Sequence, residues 1–267
     1  MRVQTGFTPH VTNLGQGQRR ALALHCTLAF GGVWAGVARH LGQDMSFVAP
    51  DMPSHGESPD WDGQSDFSDT VYAAALASLD DAPMDLIGHS FGGMTALRLA
   101  AEHPERIRSL TLIEPVFFSI ASLDAPATME DHDARATPFF EAITAGDHLL
   151  AARAFNRMWS RATPWDILSD RSRSAMARAI PVVPDSYEFL YKDAAGLLKP
   201  GVLDRVHMPT LLMRGADALP AIVAINDGLE QRLPDATQAV IEKAGHMAPI
   251  THPTPVAEAI HALLHRS

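Results

Sequence analysis

Cys26 is the only cysteine in 267 residues, so no disulfide within the chain can hold this fold. No apolar run reaches the length of about 18 residues that a membrane-spanning helix needs. The opening residues, Met1-Arg2-Val3-Gln4-Thr5-Gly6, lack the apolar segment of a secretory leader, and a cytoplasmic location is expected. Basic clusters are missing as well. With 21 Lys and Arg against 31 Asp and Glu, and a net charge of −10, the chain has no patch suited to nucleic acid or to an anionic membrane, and the charge serves solubility. Its 13 histidines are scattered rather than grouped with carboxylates, so zinc or iron ligation is not expected and no cofactor is called for.

What is present is a chain 46% hydrophobic, long enough for a sizeable core. Short apolar runs (21–24, 47–49, 86–87 and 110–113) alternate with helical stretches at 34–41, 67–79 and 94–103. Alternation of this kind predicts parallel strands joined by crossover helices. From about 117 to 200 the pattern becomes purely helical, with amphipathic segments at 137–143, 149–159 and 172–180. Strand-like runs return at 210–213 and 238–241, with helices at 222–233 and 254–264. The expected architecture is therefore α/β: a mostly parallel open sheet with helices on both faces, built from residues 1–116 and 201–267, and a helical cap inserted at 117–200.

Gly88-His89-Ser90-Phe91-Gly92 ends one of the apolar runs and leads directly into a helical stretch. A serine projecting from a sharp strand-to-helix turn sits in strained backbone, so its neighbours must be small, and Gly88 and Gly92 supply that. Ser90 is thereby nominated as a nucleophile. Unpaired N–H groups at the helix start point toward it, and the Phe91 amide becomes a donor for a developing oxyanion. A serine needs a base. Gly245-His246, on a loop after the last predicted strand, provides it.

With these residues in place the chain resembles the α/β-hydrolase fold superfamily, in its serine-nucleophile, cap-bearing branch, over nearly its whole length. Pro50-Asp51-Met52-Pro53-Ser54-His55-Gly56-Glu57-Ser58 is similar to the segment that follows the family's fourth strand. The family's His-Gly pair before the second oxyanion amide corresponds here to His25-Cys26, which the resemblance makes Thr27 the donor, and Trp34 stands where the family often has a tryptophan. Cys26 has no elbow around it and reads as a small buried thiol rather than a nucleophile.

The family orients its histidine with a carboxylate after either of two strands, and both places are filled. Asp217 follows the penultimate strand, two residues after Gly215 where the family pattern is three, and could equally cap the helix beginning near Pro220. Glu114 closes the run 110–113, and a carboxylate at such a buried end needs a partner. Both remain candidates for the acid, and the family analogy tips the choice toward Glu114.

The resemblance implies attack by Ser90 on a carbonyl and an acyl-enzyme, on a small to medium, partly apolar carboxylic ester or lactone. A small-molecule substrate is the expected partner, for a monomer or homodimer. Carbon–carbon bond hydrolysis of ring-fission products, a lyase or perhydrolase reaction on the same fold, and a non-catalytic ligand receptor are the alternatives. The pocket is expected to use Phe117, Phe118, Phe139 and Trp159 from the cap, with His25, Cys26 and Met247 from the core. Arg153, Arg157 and Arg161, at helical spacing, read as a solvated face or as contacts for a carboxylated substrate.

Overall fold

The computed structural model describes residues 6–160 and 163–267, so the opening segment considered above lies outside the described residues except for Gly6, and Arg161 lies outside them too. Seven strands among these form one sheet in the order β1-β3-β2-β4-β5-β6-β7. They are β1 (Val11–Gly15), β2 (Arg19–Leu24), β3 (Met45–Pro50), β4 (Met84–His89), β5 (Ile107–Ile113), β6 (Thr210–Gly215) and β7 (Ala236–Ile241). All neighbours pair in parallel except β1, which runs antiparallel to β3 at the edge.

Both faces of the sheet are covered, and the strand period shows how. Leu22, Leu86, Leu110, Leu112 and Leu212 point into a core shared with α2 (Phe67–Ala77), α3 (Phe91–Glu102) and α10 (Pro220–Glu230). Their sequence neighbours Ala21, Ala23, Ile87, Ile113, Leu211 and Met213 point the other way, toward α1 (Ala35–Leu41) and α12 (Pro253–Leu264). Strands buried on both sides read as continuous apolar runs. Edge strand β1 escapes this rule: its half-exposed Val-Thr-Asn-Leu-Gly gives no such run, and sequence reading passes over it. The Pro50–Ser58 segment begins at the end of β3.

Between β5 and β6 the described residues hold only helices: α4 (Phe118–Asp124), α5 (Pro126–Thr144), α6 (His148–Trp159), α7 (Asp170–Ala179), α8 (Val182–Asp185) and α9 (Tyr187–Tyr191). This insertion has a small core of its own, formed by Phe139, Ala142, Ala151, Ala152 and Ile180. Helix α5 is much longer than the 137–143 segment expected. Pro138 suggests a helix start, because proline suits a first turn that lacks an N–H partner, yet it lies inside α5. No helix of the described residues is long and apolar enough to cross a membrane.

Candidate active site

Ser90 stands between β4 and α3 with φ 57° and ψ −117°, a backbone region that ordinary residues avoid and that a tightly packed turn must enforce. The packing is visible at the glycines. A Cβ on Gly92 would come within 2.5 Å of the Leu24 and His25 carbonyl oxygens, and one on Gly88 within 2.4 Å of the Gly92 carbonyl. The elbow is therefore pressed against the end of β2, and the serine stands at the carboxyl end of the central strand β4.

Glu114 follows β5 in a second positive-φ turn, at 44°, and is fully buried. Its backbone N–H donates to the Met213 carbonyl at 2.8 Å, tying it to the end of β6. One carboxylate oxygen accepts from the Gly215 N–H at 2.8 Å and the other lies 2.7 Å from His246 Nδ1. A carboxylate only accepts, so the Nδ1 proton belongs to the imidazole and Nε2 is left as the acceptor on the opposite side. His246 itself sits between β7 and α11 (Ala248–Thr251), its ring centroid 4.5 Å from that of Trp159.

Asp217 is not brought to this histidine. It is exposed, and its backbone N–H bonds to the Ala244 carbonyl. Nor does it cap α10, whose N-cap position is Leu219 with no side-chain bond.

His89, beside the serine, holds the histidine loop from below. Its Nε2 donates to the His246 carbonyl at 2.7 Å, a carbonyl being able only to accept, and the two rings lie 4.9 Å apart. The sequence showed His89 within the elbow motif but gave no sign of this bond, which spans 157 residues.

Thr27 and Phe91, the two expected oxyanion donors, differ in their place around the serine. Thr27 lines the same cavity, Phe91 is the first residue of α3, and neither amide has a backbone acceptor among the described residues. The loop carrying Thr27 is braced by two histidines. His25 Nε2 accepts from the Met52 N–H at 3.0 Å while its Nδ1 donates to the Cys26 carbonyl at 2.8 Å. His55 Nε2 accepts from the Leu28 N–H at 3.0 Å and its Nδ1 donates to the Pro53 carbonyl at 2.8 Å. Each ring uses one nitrogen as donor and one as acceptor, a pattern only a neutral imidazole satisfies.

Burial works in the same direction. It lowers the pKa of His25, pushes that of His55 down to about 3 with His25 adding to the effect, and holds His89 well below 6.5. An unfolded chain takes up these protons near pH 6.5, so between that value and the lower folded ones it binds more protons than the native state. Stability is accordingly full above about pH 6.5 and declines as the pH falls below it, by roughly 1 kcal/mol per unit for each such histidine. Melting temperatures measured from about pH 8 down to about pH 5 should stay level and then drop. A melting temperature that rises with acidification would contradict the neutral state of these rings.

The cavity over Ser90 has a volume of about 70 Å³ and is walled mainly by the insertion. Phe118, Phe139 and Trp159 line it, joined by Val116, His132, Phe155, Met158, Leu190 and Tyr191, which sequence reading did not single out as pocket residues. Four expected pocket residues do not line it. Phe117 is fully buried in the core cluster, His25 and Cys26 are turned into the packing behind the Thr27 loop, and Met247 precedes α11. Burial pushes the Cys26 thiol up to about 12, far from a reactive thiolate. Arg153 and Arg157 lie away from this cavity, on a separate open groove of the insertion; Arg153 is 3.6 Å from Asp166, with both side chains exposed.

A family model for the alpha/beta hydrolase fold matches residues 22–253. The chain belongs to the alpha/beta hydrolases. Lipase LipV of Mycobacterium tuberculosis is 29% identical to it over 273 residues, covering 96% of this chain and 97% of the lipase. A pimeloyl-(acyl-carrier protein) methyl ester esterase of Neisseria meningitidis serogroup B is 30% identical over 242 residues, covering 85% and 87%. Among solved structures, MenH from S. aureus superposes with a TM-score of 0.73 at 16% identity, covering 96% of this chain and 98% of its own. That likeness concerns the fold. The relatives in sequence are named as enzymes, and this hydrolase is one.

Proposed function

We propose that this hydrolase cleaves a small to medium, partly apolar carboxylic ester or lactone through an acyl-enzyme, with Ser90 as nucleophile, His246 as general base and Glu114 as the acid that orients it. The observation that carries this reading is the buried 2.7 Å contact of Glu114 with His246 Nδ1, in a chain whose serine occupies a strained elbow. Names of the relatives, a lipase and a methyl ester esterase, support the ester as the bond cleaved.

In this mechanism Ser90 Oγ attacks the ester carbonyl as His246 Nε2 takes its proton, and Glu114 stabilises the imidazolium that forms. The Phe91 and Thr27 amides, free of backbone acceptors, receive the oxyanion. The protonated imidazole then gives its proton to the departing alcohol oxygen. A water molecule, deprotonated by the same nitrogen, releases the acid and restores Ser90. Among the described residues no hydrogen bond joins Ser90 to His246, and such contacts commonly tighten only in the substrate complex. Residues 117–200 act as a cap over a core of 1–116 and 201–267, and the aromatic residues they place above Ser90 favour an apolar acyl or alcohol group.

The test is a panel of p-nitrophenyl esters of increasing chain length together with a fluorophosphonate probe. Turnover with covalent labelling at Ser90 supports the proposal; a folded protein that neither turns over any ester nor takes the label refutes it.

A further inference from the structure

One wall of the cavity over Ser90 differs from the rest. There α5 contributes His132 and the end of α9 contributes Tyr191, whose hydroxyl lies 2.8 Å from His132 Nε2. The imidazole is 3% exposed, with ring centroids of Phe118 at 4.3 Å and Trp159 at 5.8 Å. Its other nitrogen, Nδ1, is buried and has no hydrogen-bond partner among the described residues. Buried polar atoms are nearly always partnered, and phenylalanine would fill this site at no such cost. The ester-cleaving steps make no use of the pair.

Following the proton shows what the pair offers. If the Tyr191 hydroxyl donates to Nε2, the imidazole proton sits on Nδ1 and that N–H has no acceptor. If Nε2–H donates to the Tyr191 oxygen instead, the phenolic hydrogen is the one left over. One donor remains free in either arrangement. Burial pushes the His132 pKa down to about 4, so the free donor is carried by a neutral ring. Aromatic walls and a neutral donor suit an uncharged acceptor such as a keto, ester or ether oxygen. A carboxylate would be stripped of water with no cation to meet it. Trp159 neighbours both rings, 5.8 Å from His132 and 4.5 Å from His246, which keeps the pair close enough to the base for the recognised oxygen to lie a few carbon atoms from the bond being cleaved.

We propose that His132 and Tyr191 form a polar subsite for an uncharged acceptor oxygen borne on the substrate's apolar chain, making oxygen-bearing chains better substrates than plain hydrocarbon chains of equal length. This rests on reading the cavity as the substrate pocket of a serine hydrolase.

The experiment compares p-nitrophenyl octanoate with analogues whose keto oxygen is moved one carbon at a time along the chain. At one position kcat/KM should exceed that of the plain ester by about tenfold, the scale of one neutral hydrogen bond. In His132→Phe, which keeps a ring and removes both nitrogens, and in Tyr191→Phe, the ratio should fall to near one. The ratio is taken within each protein, and either folded variant suffices. A flat series in the native protein, a ratio that survives both substitutions, or a stronger preference for a chain carrying a carboxylate at that position would overturn the subsite. Calorimetric binding of methyl octanoate and its keto analogue to Ser90→Ala separates this proposal from the one it rests on. Preferential binding of the keto ester by a protein whose native form cleaves no ester would retire the hydrolase reading and keep the subsite; equal cleavage of both esters would do the reverse.

Discussion

Replacing Ser90 with alanine is expected to lower ester turnover by at least about 10³-fold and to abolish labelling by a fluorophosphonate. The fold should survive the change. The serine side chain makes no hydrogen bond among the described residues, and its strained backbone is held by Gly92 packing on the end of β2 and Gly88 packing on Gly92, which alanine leaves in place. His246→Ala should be about as damaging as Ser90→Ala, because neither a nucleophile without its base nor a base without its nucleophile completes the proton transfer. The double variant should therefore be no slower than the slower single one. Rates measured on one p-nitrophenyl ester, with melting temperatures as a folding control, decide the matter. Multiplicative losses in the double variant would mean that the two residues act independently, and a Ser90→Ala protein that still labels would move the nucleophile elsewhere.

The elbow could be read from five consecutive residues because its chemistry is local. A strand, a glycine, the serine, a second glycine and a helix are all the turn requires, and each has a sequence signature. Parallel strands β2 to β6 were legible for a related reason: burial on both faces leaves runs such as Ala21-Leu22-Ala23-Leu24 without a polar interruption. Strand β7, half exposed, still showed in the run 238–241. Strand β1 lies at an edge, where half of its residues face solvent, and α5 hides behind Pro138.

Contacts across long stretches of chain were not legible. The pairing of Glu114 with His246 spans 132 residues and depends on a positive-φ turn after β5, on the parallel register that sets Ile113 beside Met213, and on a buried Gly215 amide. Asp217 satisfied the sequence rule for the same role as well as Glu114 did. Only the backbone path after β6 separates them, because it turns Asp217 outward and leaves the Gly215 N–H facing the glutamate. His132 and Tyr191, 59 residues apart on two helices of the insertion, are invisible to local patterns for the same reason.

Glu114→Gln tests the orienting carboxylate, and the expected loss in kcat is roughly 10²–10⁴-fold. The geometry explains why a substitution this small should matter so much. Both carboxylate oxygens of Glu114 accept, one from the Gly215 N–H and one from His246 Nδ1–H. A carboxamide has a single accepting oxygen, so glutamine can satisfy only one of these donors and must turn its NH₂ toward the other. If the NH₂ faces His246, the imidazole has to carry its proton on Nε2, where it cannot act as base toward Ser90. If the NH₂ faces Gly215, two buried donors are opposed and the turn after β6 is pushed away. In both cases the negative charge that would stabilise the imidazolium is gone. Asp217→Asn should change kcat by only a small factor, since that side chain is exposed and makes no hydrogen bond among the described residues. Measuring kcat for the two variants, with circular dichroism to confirm folding, gives a direct reading. A large loss in Asp217→Asn with little change in Glu114→Gln would reverse the assignment, and equal partial losses would mean that the loop after β6 rearranges in the substrate complex to let both carboxylates share the histidine.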